Sequence, residues 1–312
     1  MSGYIDLQVN GYAGIDFNAK TITDQQWIDV CKRLSDDGVD QILATVITAP
    51  FPEMILRVRH IADVIERLPE VRERVAGIHV EGPFLNPETG YVGAHPVDAV
   101  RKADQSMAER LLDSGNGHVR LVTLAPESDS GAEVTRFLTD RGICVAAGHS
   151  NATLDQLKES IDNGLKLFTH LGNGCPGELP RHDNIIQRVL SVADQIAVSF
   201  IADGHHVPPF ALRNYLDVMP DANIIIVTDA ISAAGLGPGK FQLAGQTVTV
   251  DEDGAAWSAD RTHFAGSAAT MPEMMAVLTD KVGVSVEQAK RWMSDNPRRL
   301  LNTTSFNDNT VQ

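Results

Sequence analysis

Along the chain, short apolar runs alternate with segments whose apolar positions recur every three or four residues. The runs occupy residues 4–11, 41–48, 75–82, 119–127, 143–150, 165–170, 196–204 and 223–230. Most are near-continuous in Val, Ile, Leu and Ala, as expected of strands covered on both faces of a parallel sheet. Between them, Trp27, Val30, Cys31 and Leu34 fall at helical spacing, as do Leu154, Leu157 and Ile161. Thr23 ahead of Asp24 and Gln26, and Ser150-Asn151-Ala152-Thr153 ahead of LDQLKESI, mark helix starts. Eight strand-and-helix repeats predict an α/β fold, a (β/α)₈ barrel of the TIM type in preference to an open doubly wound sheet.

One segment breaks the alternation. Residues 241–257, FQLAGQTVTVDEDGAAW, read as two or three short strands turning at Asp253-Gly254. They predict a small β insertion after the eighth strand, ahead of a helix starting near Ser267. No linker or internal repeat divides the chain, so residues 1–302 read as a single barrel domain and 303–312 as a polar, frayed tail.

Composition narrows the function. Apolar residues make up 43 %, ample for one core. A net charge of −15 excludes general nucleic-acid binding and requires that any anionic substrate find its positive partner locally. Cys31, Cys144 and Cys175 lack metal-ligand spacing; Cys144, inside an apolar run, is expected to be a buried free thiol. The odd count fits a reducing compartment. No signal-peptide pattern opens the chain and no run approaches the roughly 20 apolar residues of a membrane span, so a cytoplasmic protein is expected.

Polar residues cluster where the runs end: Glu81, His149, His170, Asp203 and Asp229. In a barrel those ends converge on one face. A buried carboxylate such as Glu81 is costly unless it is paired or bound to a metal. Two histidines and a glutamate suit a divalent ion with an open position. Such an ion activates water and polarises a carbonyl, and a neighbouring carboxylate, here Asp229, can carry the proton to the leaving group. Taken singly, each of these residues is more often a packed or capping side chain. The recurrence on separate strands is what raises the metal-hydrolase reading. His60, His79, His118 and His263 read as structural or solvated.

The motifs HVEGPFLNPETGYVGAHP, AAGHSNAT, THLGNGCP, IADGHHV, VTDAISAAGLGPG and FAGSAATM resemble, in order, motifs of the N-acetylglucosamine-6-phosphate deacetylases, members of the metal-dependent amidohydrolase superfamily. The resemblance runs from Gly3 to about Leu301. It implies hydrolysis of the N-acetyl group of an amino-sugar 6-phosphate, with Glu81, His149 and His170 as ligands of one divalent metal, zinc in the first place and otherwise iron, manganese or cobalt. It implies Asp229 as the catalytic acid/base, His95, Asn173, Gly174 and His206 as substrate contacts, Arg181 as the phosphate partner, and Phe264, Ala265 and Gly266 as a backbone segment beside the substrate. Gln8 and Asp203 are read as outer partners of these groups. The resemblance also allows a homodimer, with no nucleic-acid or membrane partner.

The departures are specific. Many amidohydrolases carry His-x-His on the first strand; here Gln8 and Asn10 stand there, which predicts one tightly bound metal rather than two. The small β-sandwich built from both ends of family members is not evident. Arg181 is followed by His-Asp-Asn where the family often has Glu-Pro-Gly. The competing readings are a deacylase of N-acetylgalactosamine 6-phosphate or of an N-acyl amino acid, and a non-catalytic sugar-phosphate sensor.

Overall fold

All eight runs form strands in the computed structural model, which describes residues 3–303: β1 (Tyr4–Val9), β2 (Val39–Ile47), β3 (Val75–Glu81), β4 (Val119–Leu124), β5 (Cys144–Ala147), β6 (Leu167–Phe168), β7 (Ala197–Ile201) and β8 (Ile224–Val227). They stand side by side in chain order and every laddered pair is parallel. Helices fill the crossovers, giving the expected TIM-like barrel. The polar tail from residue 304 lies outside the described residues.

The seam between β8 and β1 is closed mainly by side chains. The buried Asp6 carboxylate accepts hydrogen bonds from the backbone N–H and the hydroxyl of Thr228. Asn10 N donates to Ala230 O at 2.7 Å, and one bridge pairs Val9 with Ala230. Burial pushes Asp6 up to about 7, against the lowering effect of these bonds.

The outer helices follow the periodicity. In the helix Asp24–Asp36, the inward residues are Trp27, Val30, Cys31 and Leu34, and Thr23 with Gln26 forms a reciprocal capping box. Burying each large side chain contributes about 1.5–3 kcal/mol. Trp27→Ala would cost about 3–5 kcal/mol, because the indole is fully buried against Phe17. Cys144 is buried and its thiol pushed up to about 12 by burial. His79 faces the barrel interior and is satisfied there, Nε2 lying 2.8 Å from Thr123 Oγ1 and Nδ1 3.4 Å from Thr45 Oγ1.

The insertion is a three-stranded antiparallel sheet, β9 (Gly239–Leu243), β10 (Gln246–Val250) and β11 (Ala256–Trp257), beginning two residues earlier than the sequence suggests. It packs through Leu243, Val248 and Val250 on Ile47 and Ile231, so it sits beside the C-terminal end of the barrel. The next helix starts at Met271, capped by Thr270, and not near Ser267. Ser267 is still extended because it bridges Ala230 and donates its N–H to Asp229 O at 3.0 Å.

Candidate active site

The strands end earlier than the apolar runs, and the polar residues account for the difference. Glu81 is the last residue of β3, whereas His149, His170, Asp203 and Asp229 each lie two residues past their strands. His149, His170 and Asp229 have φ of 50°, 33° and 51°, a left-handed conformation that costs a non-glycine residue about 1–3 kcal/mol. The turn swings each side chain off the ladder and over the barrel mouth. Neighbours hold it there: His149 O accepts from Asn86 N at 3.0 Å, His170 N donates to Ser199 Oγ at 2.9 Å, and Asp229 O takes Ser267 N.

Four groups converge. Glu81 Oε1 lies 2.9 Å from His170 Nε2 and 3.4 Å from His149 Nε2, and Oε2 lies 3.8 Å from His95 Nε2. The His95 and His149 Nε2 atoms are 3.3 Å apart. The set that meets most compactly is therefore Glu81, His95 and His149, with His170 on the same carboxylate oxygen. All four are buried. His149 Nδ1 is 2.8 Å from Tyr91 O, and since a carbonyl only accepts, Nδ1 carries a proton and Nε2 is the atom turned toward Glu81 and His95. Two imidazole Nε2 atoms and a carboxylate brought together at one buried point fit a divalent cation. The Nδ1 atoms of His95 and His170 have no partner among the described residues.

Electrostatics agree. Burial by itself would raise Glu81, but hydrogen bonds to His149 and His170 hold it well below the usual carboxylate range. His149 is raised despite burial, by the same carboxylate. His95 is lowered to about 3 by burial and by His149, so it is a neutral ligand or hydrogen-bond partner at neutral pH. Asp229 is raised by burial and by the charge of Glu81.

Gln8 ties the two acids together. Its Nε2 donates to Glu81 Oε1 at 2.9 Å and to Asp229 Oδ1 at 3.1 Å, while its Oε1 accepts from Thr169 Oγ1 at 2.7 Å, which fixes the amide orientation. Asn10 Nδ2 donates to the same Asp229 oxygen at 2.7 Å. A cavity of about 40 Å³, lined by Asn10, Glu81, His95, His149, Asn173, Asp229, Phe264 and Gly266, lies over the centre. That is room for roughly three waters at the reacting point.

The remaining expected residues divide. Asn173, Phe264 and Gly266 line the cavity; Gly174 lies against the His149 ring, where a Cβ would sit 2.9 Å from Nδ1. Ala265 is buried beside them under the insertion. His206 faces inward and is paired with Asp203, whereas His205 turns to Asp253 O at 3.0 Å. Arg181 is exposed on the loop after β6, outside the cavity. Sequence reasoning missed Gly93, whose Cβ would meet the His149 ring at 3.1 Å, and Thr169. It also missed Glu127, which accepts from Asn151 N at 2.6 Å and Ser150 Oγ at 2.6 Å and so secures the segment after His149. Gly93 and Thr169 flank named motif residues, His95 and His170; Glu127 gives no such signal.

The amidohydrolase family model matches residues 1–305. This chain belongs to the amidohydrolase family. It is similar to the N-acetylglucosamine-6-phosphate deacetylase of Homo sapiens, 35 % identical over 306 residues that cover 96 % of this chain and 73 % of the relative. The N-acetylgalactosamine-6-phosphate deacetylase of Escherichia coli O157:H7 is 29 % identical over 96 % of this chain and 77 % of its own length. Among solved structures, an N-acetyl-D-glucosamine-6-phosphate deacetylase variant from Mycobacterium smegmatis, in complex with N-acetyl-D-glucosamine-6-phosphate, superposes with a TM-score of 0.87 at 29 % identity, covering 96 % of this chain and 77 % of that one. The chain thus spans about three quarters of the length of these relatives. As in a metal-dependent family, the acceptor-rich centre of this amidohydrolase could hold a divalent ion. No helix among the described residues is long and apolar enough to cross a membrane.

Proposed function

We propose that this amidohydrolase removes the N-acetyl group of N-acetylglucosamine 6-phosphate, giving acetate and glucosamine 6-phosphate. The observation that carries the reading is the meeting of Glu81, His95, His149 and His170 with Asp229 around one cavity. Glu81, His149 and His170 would hold one divalent metal, zinc by ligand chemistry, with His95 beside it. When bound, that ion would supply Lewis-acid polarisation of the acetyl carbonyl and a more acidic water.

The chain's own residues do the rest. Gln8 and Asn10 hold the Asp229 carboxylate in one orientation. Asp229 accepts a proton from the attacking water as its oxygen bonds to the carbonyl carbon, and returns it to the nitrogen as the C–N bond breaks. Its raised affinity for protons, set by burial and by Glu81, suits a group that must both take and give one. His95, neutral at working pH, places an imidazole where the carbonyl oxygen gains charge. Asn173 and Gly174 flank the sugar, and Arg181, on the rim, would meet the phosphate with a guanidinium fork. That gives an acidic protein its local cation. A cytoplasmic homodimer fits the reading.

The test is acetate release from N-acetylglucosamine 6-phosphate beside N-acetylglucosamine and N-acetylgalactosamine 6-phosphate, with metal content measured on the same sample. Turnover confined to the phosphorylated glucosamine derivative, with about one metal per chain, supports the assignment. Preference for the galactosamine epimer moves the substrate but keeps the site. Metal without turnover of any of the three removes the sugar-phosphate reading.

A further inference from the structure

Asp203 and His206 form a buried pair; the resemblance implies His206 as a substrate contact, but the chemistry above gives Asp203 no part. Asp203 lies two residues past β7. Its Oδ1 accepts the backbone N–H groups of His205 and His206 at 2.9 and 3.0 Å and closes the turn. Its other oxygen, Oδ2, is 2.7 Å from His206 Nδ1. The two side chains are 4 % and 2 % exposed. The imidazole lies 4.9 Å from the ring of Phe264, which lines the cavity with Asp229. At the far end of the imidazole, Nε2 is buried and has no partner among the described residues.

A turn cap needs one carboxylate oxygen, and Oδ1 supplies it. The second oxygen is spent on the ring. Because a carboxylate only accepts, Nδ1 carries a proton, and the short contact favours the charged ring. The charges lean the same way: His206 is raised although burial opposes it, because of Asp203, and Asp203 is pulled down to about 2 against its own burial. Asp229 adds to the field on His206 in the same sense. A doubly protonated ring has a donor at Nε2 as well, and an unmatched donor in a protein interior is costly. An oxygen-rich ligand entering beside Phe264 would match it.

We propose that Asp203 is a positioning residue that holds His206 doubly protonated, with its Nε2–H offered to an oxygen of the substrate. The inference rests on the site being a hydrolase centre for an acylated, oxygen-rich amine.

The test uses Asp203→Asn, which keeps an oxygen to cap the turn but cannot accept from Nδ1–H. In ¹⁵N–¹H spectra of the zinc-loaded protein, with the His206 signal assigned by its loss in His206→Gln, the wild-type ring should show both nitrogens protonated and the Asp203→Asn ring should lose the Nδ1 proton. With the acylated amine that the wild type hydrolyses fastest, Asp203→Asn should lower kcat/KM about tenfold or more, the difference between a charged and a neutral donor. In the His206→Gln background the same substitution should change kcat/KM less than about twofold, because the two residues act as a unit. A singly protonated wild-type ring, or an undiminished effect of Asp203→Asn in the His206→Gln background, overturns the proposal. Absence of sugar-phosphate turnover by the wild type would instead count against the substrate, and is read separately from the ring signal.

Discussion

The Nε2 atoms of His95 and His149 face each other at 3.3 Å, with the Glu81 carboxylate 3.8 and 3.4 Å away. With His149 Nδ1 donating to Tyr91, its Nε2 is free to join His95 Nε2 and the Glu81 carboxylate around a cation. Metal removal should therefore cost stability as well as activity. Chelation should abolish hydrolysis, with recovery on adding zinc. Saturation at a hundred times Kd contributes about 2.7 kcal/mol, or a Tm rise of about 5 °C. Glu81→Gln should copy chelation, read by metal analysis and thermal unfolding. A chelated protein with unchanged Tm and turnover would contradict the centre.

Asp229→Asn should lower kcat by about 10²–10⁴ while metal content and Tm hold. Asn10 and Gln8 donate to Oδ1, an atom the amide keeps. Near-normal deacetylation would remove Asp229 from proton transfer.

Gly174 sits at φ 59°, and a Cβ there would lie 2.9–3.1 Å from three atoms of the His149 ring. Gly174→Ala should push that ring off Tyr91 O and weaken metal affinity about 10–100-fold, with secondary structure by circular dichroism intact. Unchanged metal titration would mean that the ring can yield without loss.

Arg181 is exposed, so its effect on folding should be negligible. Arg181→Ala should raise KM for the phosphorylated sugar about tenfold with kcat unchanged, the mark of an interaction equal in ground and transition states. The unphosphorylated sugar should be indifferent to it. Equal effects on both sugars would move the phosphate elsewhere.

Asp6 gives a pH dependence of defined sign. Burial raises its carboxyl from 3.8 to about 7. Below pH 4 both folded and unfolded forms hold the proton and nothing is lost. Between about pH 4 and 7 the unfolded chain releases it while the folded protein keeps it, so stability falls as pH rises, by up to about 4 kcal/mol. Asp6→Asn lacks this dependence. The Tm difference between variant and wild type should shift in the variant's favour from pH 5 to pH 8. A pH-independent difference would show that Asp6 is ionised in the folded protein.

The apolar runs announced every barrel strand, because a strand buried on both faces must be apolar wherever it lies in the sheet. They overran the strand ends because His149, His170 and Asp229 turn to positive φ after apolar or small residues that continue the run. The insertion was legible from its alternation and its Asp253-Gly254 turn. The helix start near Ser267 was misread because the local sequence does not reveal that Ser267 pairs with Ala230.

Sequence by itself determined where the strands lie along the chain, the outer helices with their caps, and which polar residues end the strands, since these depend on neighbours a few positions apart. Only the tertiary structure decided that His95 shares the centre with His149 and that Gln8 joins two carboxylates, one of them 221 residues away. Only it decided, too, that Asp203 spends its second oxygen on His206. Those relations are fixed by how eight strands close and where each chain turns off its ladder, and backbone geometry of that kind leaves little trace in the order of side chains.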